Sequence, residues 1–151
     1  MDPTKKELYT AKRPSGIDTS NEEIQPAIDQ LRSDSDPTNW LILKVNGTSV
    51  VVHGTGTGGL GEFSTALNDD DVYYGVLRCN VDAFVKFYHV FFVGQNVSGM
   101  KKGKASLYKS AVFQLVDAQG EISCPTGTED YSDGYIVAAI AKLSRSTNIS
   151  F

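Results

Sequence analysis

The spacing of apolar positions changes period several times along the chain. Ile24, Ala27, Ile28 and Leu31 fall at i, i+3, i+4 and i+7, the stripe of an amphipathic helix. Ser20 with Glu23 has the form of a capping box, yet Pro26 then falls inside the helix with no N–H to donate. Either the regular helix starts near Pro26 or its first turn is distorted. Ser33 to Thr38 reads as a turn, and Trp40 to Val45 as a strand. Asn46-Gly47 predicts a tight hairpin, because both residues tolerate positive φ, with Ser49 to His53 returning antiparallel. Gly54 to Gly61 is glycine-rich, and Glu62 to Leu67 follows as a short helix. Asp71 to Cys79 and Phe84 to Val93, rich in Val, Tyr and Phe, are the clearest strands, with a hairpin at Asn80 to Ala83. Phe84, Tyr88, Val90 and Phe92 make one face of the later strand apolar, and Val85, Phe87, Phe91 and Val93 the other. Such a strand belongs mid-sheet, covered on both sides.

A turn from Gly94 to Gly99 leads into a helix from about Met100 to Val116, with Tyr108, Ala111, Val112 and Leu115 as its buried stripe. Lys102, Ser106, Lys109 and Phe113 recur as a second stripe, expected to face away from the buried one. Glu121 to Cys124 predicts a short strand, and Ile136, Ala139, Ile140 and Leu143 a C-terminal helix. This order predicts one α/β (α+β) domain over 17–146, a mixed central sheet of about five strands flanked by helices on both faces. Residues 1–16 are expected to be a flexible tail and 147–151 a short C-terminal tail.

The 151 residues suffice for a real core. A net charge of -4 argues against a general nucleic-acid binder. The N-terminus has no apolar signal core, and the longest apolar runs are too short to span a bilayer. A soluble, cytoplasmic monomer without membrane insertion is the expectation. Cys79 and Cys124 lie far apart outside any CxxC pair and read as free buried thiols. Three Asn-x-Ser/Thr triplets, at Asn46, Asn96 and Asn148, are expected to be unused without a secretory signal.

GxGxxG occurs twice in overlap, over Gly54 to Gly61. A dinucleotide site places those glycines between the first strand of a βαβ unit and its crossover helix. Here the preceding strand is the second arm of a hairpin, the following helix is short, and no Lys-Ser or Lys-Thr follows. A linker feeding a short helix is the favoured reading, and a nucleotide-binding enzyme the alternative. His53 and His89 sit inside strands without metal-ligand spacing, and no GxSxG elbow occurs. Asp69-Asp70-Asp71 reads as a solvated turn more readily than a metal site. No cofactor or metal is expected. Lys101, Lys102, Lys104 and Lys109 cluster without an intervening acid, three of them at a helix N-terminus where the dipole disfavours cations. That cost hints at an acidic partner.

Over "KFYHVFFVGQNVSGMKKGKASLYKSAVFQLV" the chain resembles the actin-depolymerising-factor homology family, its coactosin branch above all. The family pattern is a strand ending in an aromatic, then Val-Gly-x-Asn-Val-Ser-Gly, then a long helix; Phe92 to Gly99 fits it. Ile17-Asp18, Trp40 to Thr48 and Gly54 to Leu67 agree in order, so the resemblance spans roughly 17–143. It implies a non-enzymatic, actin-binding protein of the cytoskeleton, preferring filaments, with no nucleotide or metal of its own. It assigns actin contact to Gly99 to Lys109, among them Gly99, Met100, Lys101, Lys102, Lys104, Ser106 and Lys109, with Met100 packing in an apolar cleft on actin. It adds Lys86, opening the fourth strand, and more weakly Arg78, Lys142 and Arg145. Ser15, before Gly16-Ile17, is similar to a regulatory phosphorylated serine, where a phosphate would repel acidic actin. The Asn80 to Ala83 hairpin departs from the family by being shorter and lacking basic residues. Alternatives within the fold are a monomeric-actin binder, a filament-turnover factor, or a scaffold that has lost actin.

Overall fold

Two aromatic-rich strands set the centre of the sheet. The computed structural model describes residues 16–151, so Ser15 and the expected tail before Gly16 lie outside the described residues. β1 (Trp40–Asn46) and β2 (Ser49–Gly56) form the first hairpin, closed through Gly47 at φ 67°. β3 (Val72–Val81) and β4 (Phe84–Val93) pair antiparallel along their whole lengths, from Val72 opposite Val93 to Val81 opposite Phe84. β5 (Gly120–Cys124) runs parallel to β4, which makes the sheet mixed in the order β2-β1-β3-β4-β5.

Alternation along these strands divides the core into two layers. On the first face, Leu41, Leu43, Tyr74, Val76, Phe87 and Phe91 pack under α1 (Ile24–Arg32) and α3 (Gly99–Phe113). On the second, Ile42, Tyr73, Leu77, Tyr88, Val90 and Phe92 pack under α2 (Gly59–Thr65) and α4 (Asp133–Ser144). Both apolar faces of β4 are therefore covered from Phe87 to Val93, whereas Phe84 and Val85 at the hairpin end stay exposed. Cys79 and Cys124 are free and buried in the second layer, where burial pushes their thiols up to about 11 and about 12.

Several boundaries move for identifiable reasons. α1 starts at Ile24 without a side-chain cap. The Ser20 hydroxyl donates to Asp18 instead, and the Glu23 N–H donates to Asn21. Pro26 is the third helical residue, where an N–H has no intrahelical partner and none is missed. β2 runs on through Gly54, Thr55 and Gly56, paired with Ile42, Leu41 and Trp40. The expected C-terminal tail 147–151 is corrected: Ile149-Ser150 forms β6, paired with Val81 and Asn80 of β3 in the lane that β1 leaves vacant. Unpaired backbone on β3 recruits it, a long-range demand the local sequence does not announce.

Candidate functional site

The glycine segment is committed to the fold. The Trp40 indole lies across β2, so a Cβ at Gly56 would sit 2.5 Å from its Nε1 and one at Gly54 3.3 Å from its Cη2. Trp40 Nε1 donates to Glu62 Oε1 at 2.8 Å, and the Gly58 N–H donates to the same oxygen at 3.0 Å. The Gly59 N–H donates to Asn39 Oδ1 at 2.8 Å. The hydrogen bond from Trp40, helped by that from Gly58, holds the Glu62 carboxyl below the usual carboxylate range. The place a phosphate would take on these amides is filled by the chain's own carboxylate, and the linker expected here is a strand end plus a helix start.

The acidic run is likewise structural. Asp69 accepts from the Thr128 hydroxyl and from the N–H groups of Thr128 and Gln95. Asp70 accepts from Asn96 Nδ2 at 3.0 Å. Asp71 receives Lys44 Nζ at 2.6 Å and Lys101 Nζ at 2.8 Å. Burial opposes its ionisation, but hydrogen bonds from Lys101, Lys44 and the Val72 N–H prevail and hold its carboxyl at about 2. Among the described residues no group of His, Cys, Asp and Glu is placed to hold a metal. The His89 ring stacks on Phe113 at 4.1 Å and donates to the Val116 carbonyl, and burial holds its pKa down.

These ties aim the long helix. Gly94 passes so close to the Asp69 backbone that a Cβ would lie 2.7 Å from its Cα. The Asn96 N–H donates to the Asp69 carbonyl, and Val97 is buried in the first core layer. Ser98 caps α3 by accepting from the Lys101 N–H at 3.2 Å. Tyr74 Oη donates to the Ala105 carbonyl at 2.8 Å and pins the helix to the sheet. Each position of the Val-Gly-x-Asn-Val-Ser-Gly pattern from Gly94 to Ser98, Gln95 included through its N–H, thus fixes where α3 begins and points.

The helix presents a different ridge from the one expected. Phe113 is buried, Lys109 reaches across to Glu121 at 2.8 Å with its ammonium 5.2 Å from the Phe91 ring centre, and Lys102 is half-buried. The stripe Lys102, Ser106, Lys109 and Phe113 therefore flanks the sheet, and of the four Ser106 alone is exposed. Long lysine stems can lie along apolar surface with their charge in solvent, so a lysine does not by itself mark the outward face. The outward ridge is Met100, Lys104 and Leu107 at i, i+4 and i+7, with Met100 75% and Leu107 61% exposed. Gly103 lies open beside it. Leu107 was missed as a candidate; its signal is an apolar residue off the stripe of Tyr108, Ala111 and Val112. Lys101 shares Asp71 with Lys44 and Lys109 is paired with Glu121, whereas Lys102 and Lys104 have no ion pair among the described residues. A cleft of about 720 Å³ adjoins the ridge, with Lys44, Asp71, Lys101, Lys104 and Tyr108 among its walls.

The other candidates lie elsewhere. Lys86 shares the second sheet face with Tyr88, opposite α3. Lys142 and Arg145 are exposed at the end of α4 on that same side. Arg78 is tied down: its guanidinium donates to the Leu31 and Ser33 carbonyls and to Asp34 at 2.6 Å, sealing the C-terminus of α1.

A mixed sheet with paired helices on both faces and a capped long helix presenting an exposed ridge is the actin-depolymerising-factor type of fold. The sequence profile of the cofilin/tropomyosin-type actin-binding proteins matches residues 16–140, and the chain belongs to that family. Coactosin of Dictyostelium discoideum is 27% identical over 133 residues, covering 84% of this chain and 91% of its own. Human coactosin-like protein superposes with a TM-score of 0.74 at 21% identity, over 86% of this chain and 99% of its own. Mouse coactosin, described as an actin filament binding protein, superposes with a TM-score of 0.68 at 19% identity, over 83% of this chain and 91% of its own.

Proposed function

We propose that this protein binds actin filaments in the cytoplasm as a coactosin-like, non-enzymatic binding protein, chiefly through the outward ridge of α3. The observation that carries this reading is an apolar-basic-apolar ridge, Met100–Lys104–Leu107, on a helix whose start is fixed by capping and by the Asp69-Asp70-Asp71 ties. Exposed Met and Leu on a rigid helix offer apolar anchors, and the exposed Lys104 offers steering toward an acidic surface. Gly99, Gly103 and Ser106 add little bulk around them and let a partner approach closely. Lys101 and Lys109 serve first to hold the helix on the sheet, so their contact with actin is secondary. Membership of an actin-binding family and likeness to coactosins support the choice of partner.

High-speed co-sedimentation with actin filaments at low and near-physiological salt tests this reading. Saturable pelleting that weakens with salt is the expected result, since exposed charges are screened. Lys104→Glu is expected to weaken binding roughly tenfold while leaving the thermal midpoint unchanged, because exposed Lys104 has no ion pair among the described residues to lose. No pelleting of the wild type at low salt would overturn the filament reading.

A further inference from the structure

The two helices on the first face divide the sheet between them, and neither closes over the turn end of the β1–β2 hairpin. α1 packs on β1 and β2, and α3 on β3 and β4. The cleft of about 720 Å³ lies where the start of α3 faces that hairpin, and α1 supplies none of its walls. Its floor is the buried Val72, Tyr74 and Ala105. Half-buried Val45, Val51 and Val52 line it from the hairpin, and half-buried Tyr108 from α3. The one hydroxyl on the floor, Tyr74 Oη, is spent on the Ala105 carbonyl at 2.8 Å. The floor therefore asks for no polar partner, and an apolar body is what it can bury. A space of this size is within the range of small-molecule sites, roughly 300–1,000 Å³.

The charges on its walls are unbalanced. Lys44, Lys101 and Lys104 line the cleft with a single acid, Asp71. Lys44 and Lys101 share that acid at 2.6 and 2.8 Å, and Lys104 has no ion pair among the described residues. The cleft is therefore positive overall, and only one ammonium group is uncommitted. That suits a ligand with one negative charge, not a multiply charged headgroup. The residues before Gly16 carry Lys5, Lys6, Lys12 and Arg13 against Asp2 and Glu7, so their charge does not complement the cleft.

We propose that this cleft binds a small amphiphile with one carboxylate, of the medium-chain fatty acid class. The carboxylate sits on Lys104, and the apolar body lies against Val45, Val51, Val52 and Tyr108. Met100 and Lys104 belong both to the cleft and to the α3 ridge, so the bound carboxylate neutralises the cation that the ridge presents. An occupied cleft then weakens actin binding. This competition rests on the actin reading of the ridge, whereas the carboxylate site itself does not.

The test titrates the full chain, without actin, with sodium decanoate, decylammonium chloride and inorganic phosphate, and reads amide chemical shifts and the thermal midpoint. Decanoate is expected to shift the resonances around Val45, Val51, Val52, Lys104 and Tyr108 saturably. At about tenfold excess over its dissociation constant it should raise the thermal midpoint by about 3–5 °C. Decylammonium lacks the charge and phosphate lacks the apolar body, so neither should do the same. Lys104→Gln and Val51→Glu are each expected to weaken decanoate binding about fivefold. Both positions are at least partly solvated, so both variants should fold. An equal response to phosphate means a bare anion site, and an equal response to decylammonium a purely apolar one; either overturns the proposal. So does decanoate that shifts other residues or none. Weaker filament pelleting by Val51→Glu, with decanoate inert, assigns the cleft to actin and also overturns it. Decanoate that binds without weakening the pelleting of the wild type overturns the competition alone. Failure of the wild type to pellet removes the actin reading, while decanoate binding in the cleft still upholds the carboxylate site.

Discussion

Single residues explain why glycine and lysine were hard to interpret in isolation. Gly54 and Gly56 look like a phosphate loop in the sequence, but their missing side chains make room for the Trp40 indole. A Cβ at Gly56 would drive into Trp40 Nε1 and the Glu62 carboxylate that Nε1 bonds. Gly56→Ala is therefore expected to destabilise the fold by about 2–3 kcal/mol, the scale of a forced overpacking plus a strained hydrogen bond. Chemical denaturation with Trp fluorescence reads this directly, since Trp40 is the one tryptophan. Stability equal to wild type would mean that the indole can move off β2. The lysines carry a parallel lesson. Lys101, Lys104 and Lys109 are alike in sequence, yet Asp71 claims the first, Glu121 the third and no acid among the described residues the second. Those acids lie about 30 and 12 residues away in the chain, so no local pattern links them.

At the level of elements, the strongest periodicities were read correctly. β4 runs over Phe84–Val93 as expected, because a strand apolar on both faces has few other places to go. The long helix begins one residue earlier than expected and ends at Phe113, not Val116. Its register came from the buried stripe, and the stripe was incomplete: Ala105 and Phe113 belong to it as well. Adding them rotates the solvent face onto Met100, Lys104 and Leu107. The start of this helix depends on the Ser98 cap, which satisfies the Lys101 N–H. Ser98→Ala is expected to cost about 1 kcal/mol. For a chain of this size that lowers the thermal midpoint by about 2–4 °C, measurable by circular dichroism. Ser98→Asp should retain most of the stability, since a carboxylate caps equally well.

For the whole molecule, one carboxylate joins three elements. Asp71, just before β3, bonds Lys44 of β1 and Lys101 of α3. Its pKa is about 2 in the fold against an ordinary 3.8. A depressed value means that ionised Asp71 stabilises the fold fully above the unfolded pKa and that this stability is lost as pH falls from 3.8 through about 2. Asp71→Asn is expected to be less stable at neutral pH by roughly 1–2 kcal/mol and to lose less stability than wild type between about pH 4 and pH 2. Urea unfolding across that range checks both halves; parallel curves for the two proteins would contradict the assignment. The sequence by itself determined the order of the elements through the last helix, the mid-sheet place of β4 and the two-faced core, because alternation and helical spacing are short-range signals set by burial; the family was legible in the motif from Phe92 to Gly99. Only the tertiary structure decided that the glycines seat a tryptophan, that the three aspartates tie down a helix, that the last residues form a strand, and which lysines pair with an acid. Those outcomes depend on charges and surfaces brought together from distant parts of the chain, and contact between them exists only once the chain has folded.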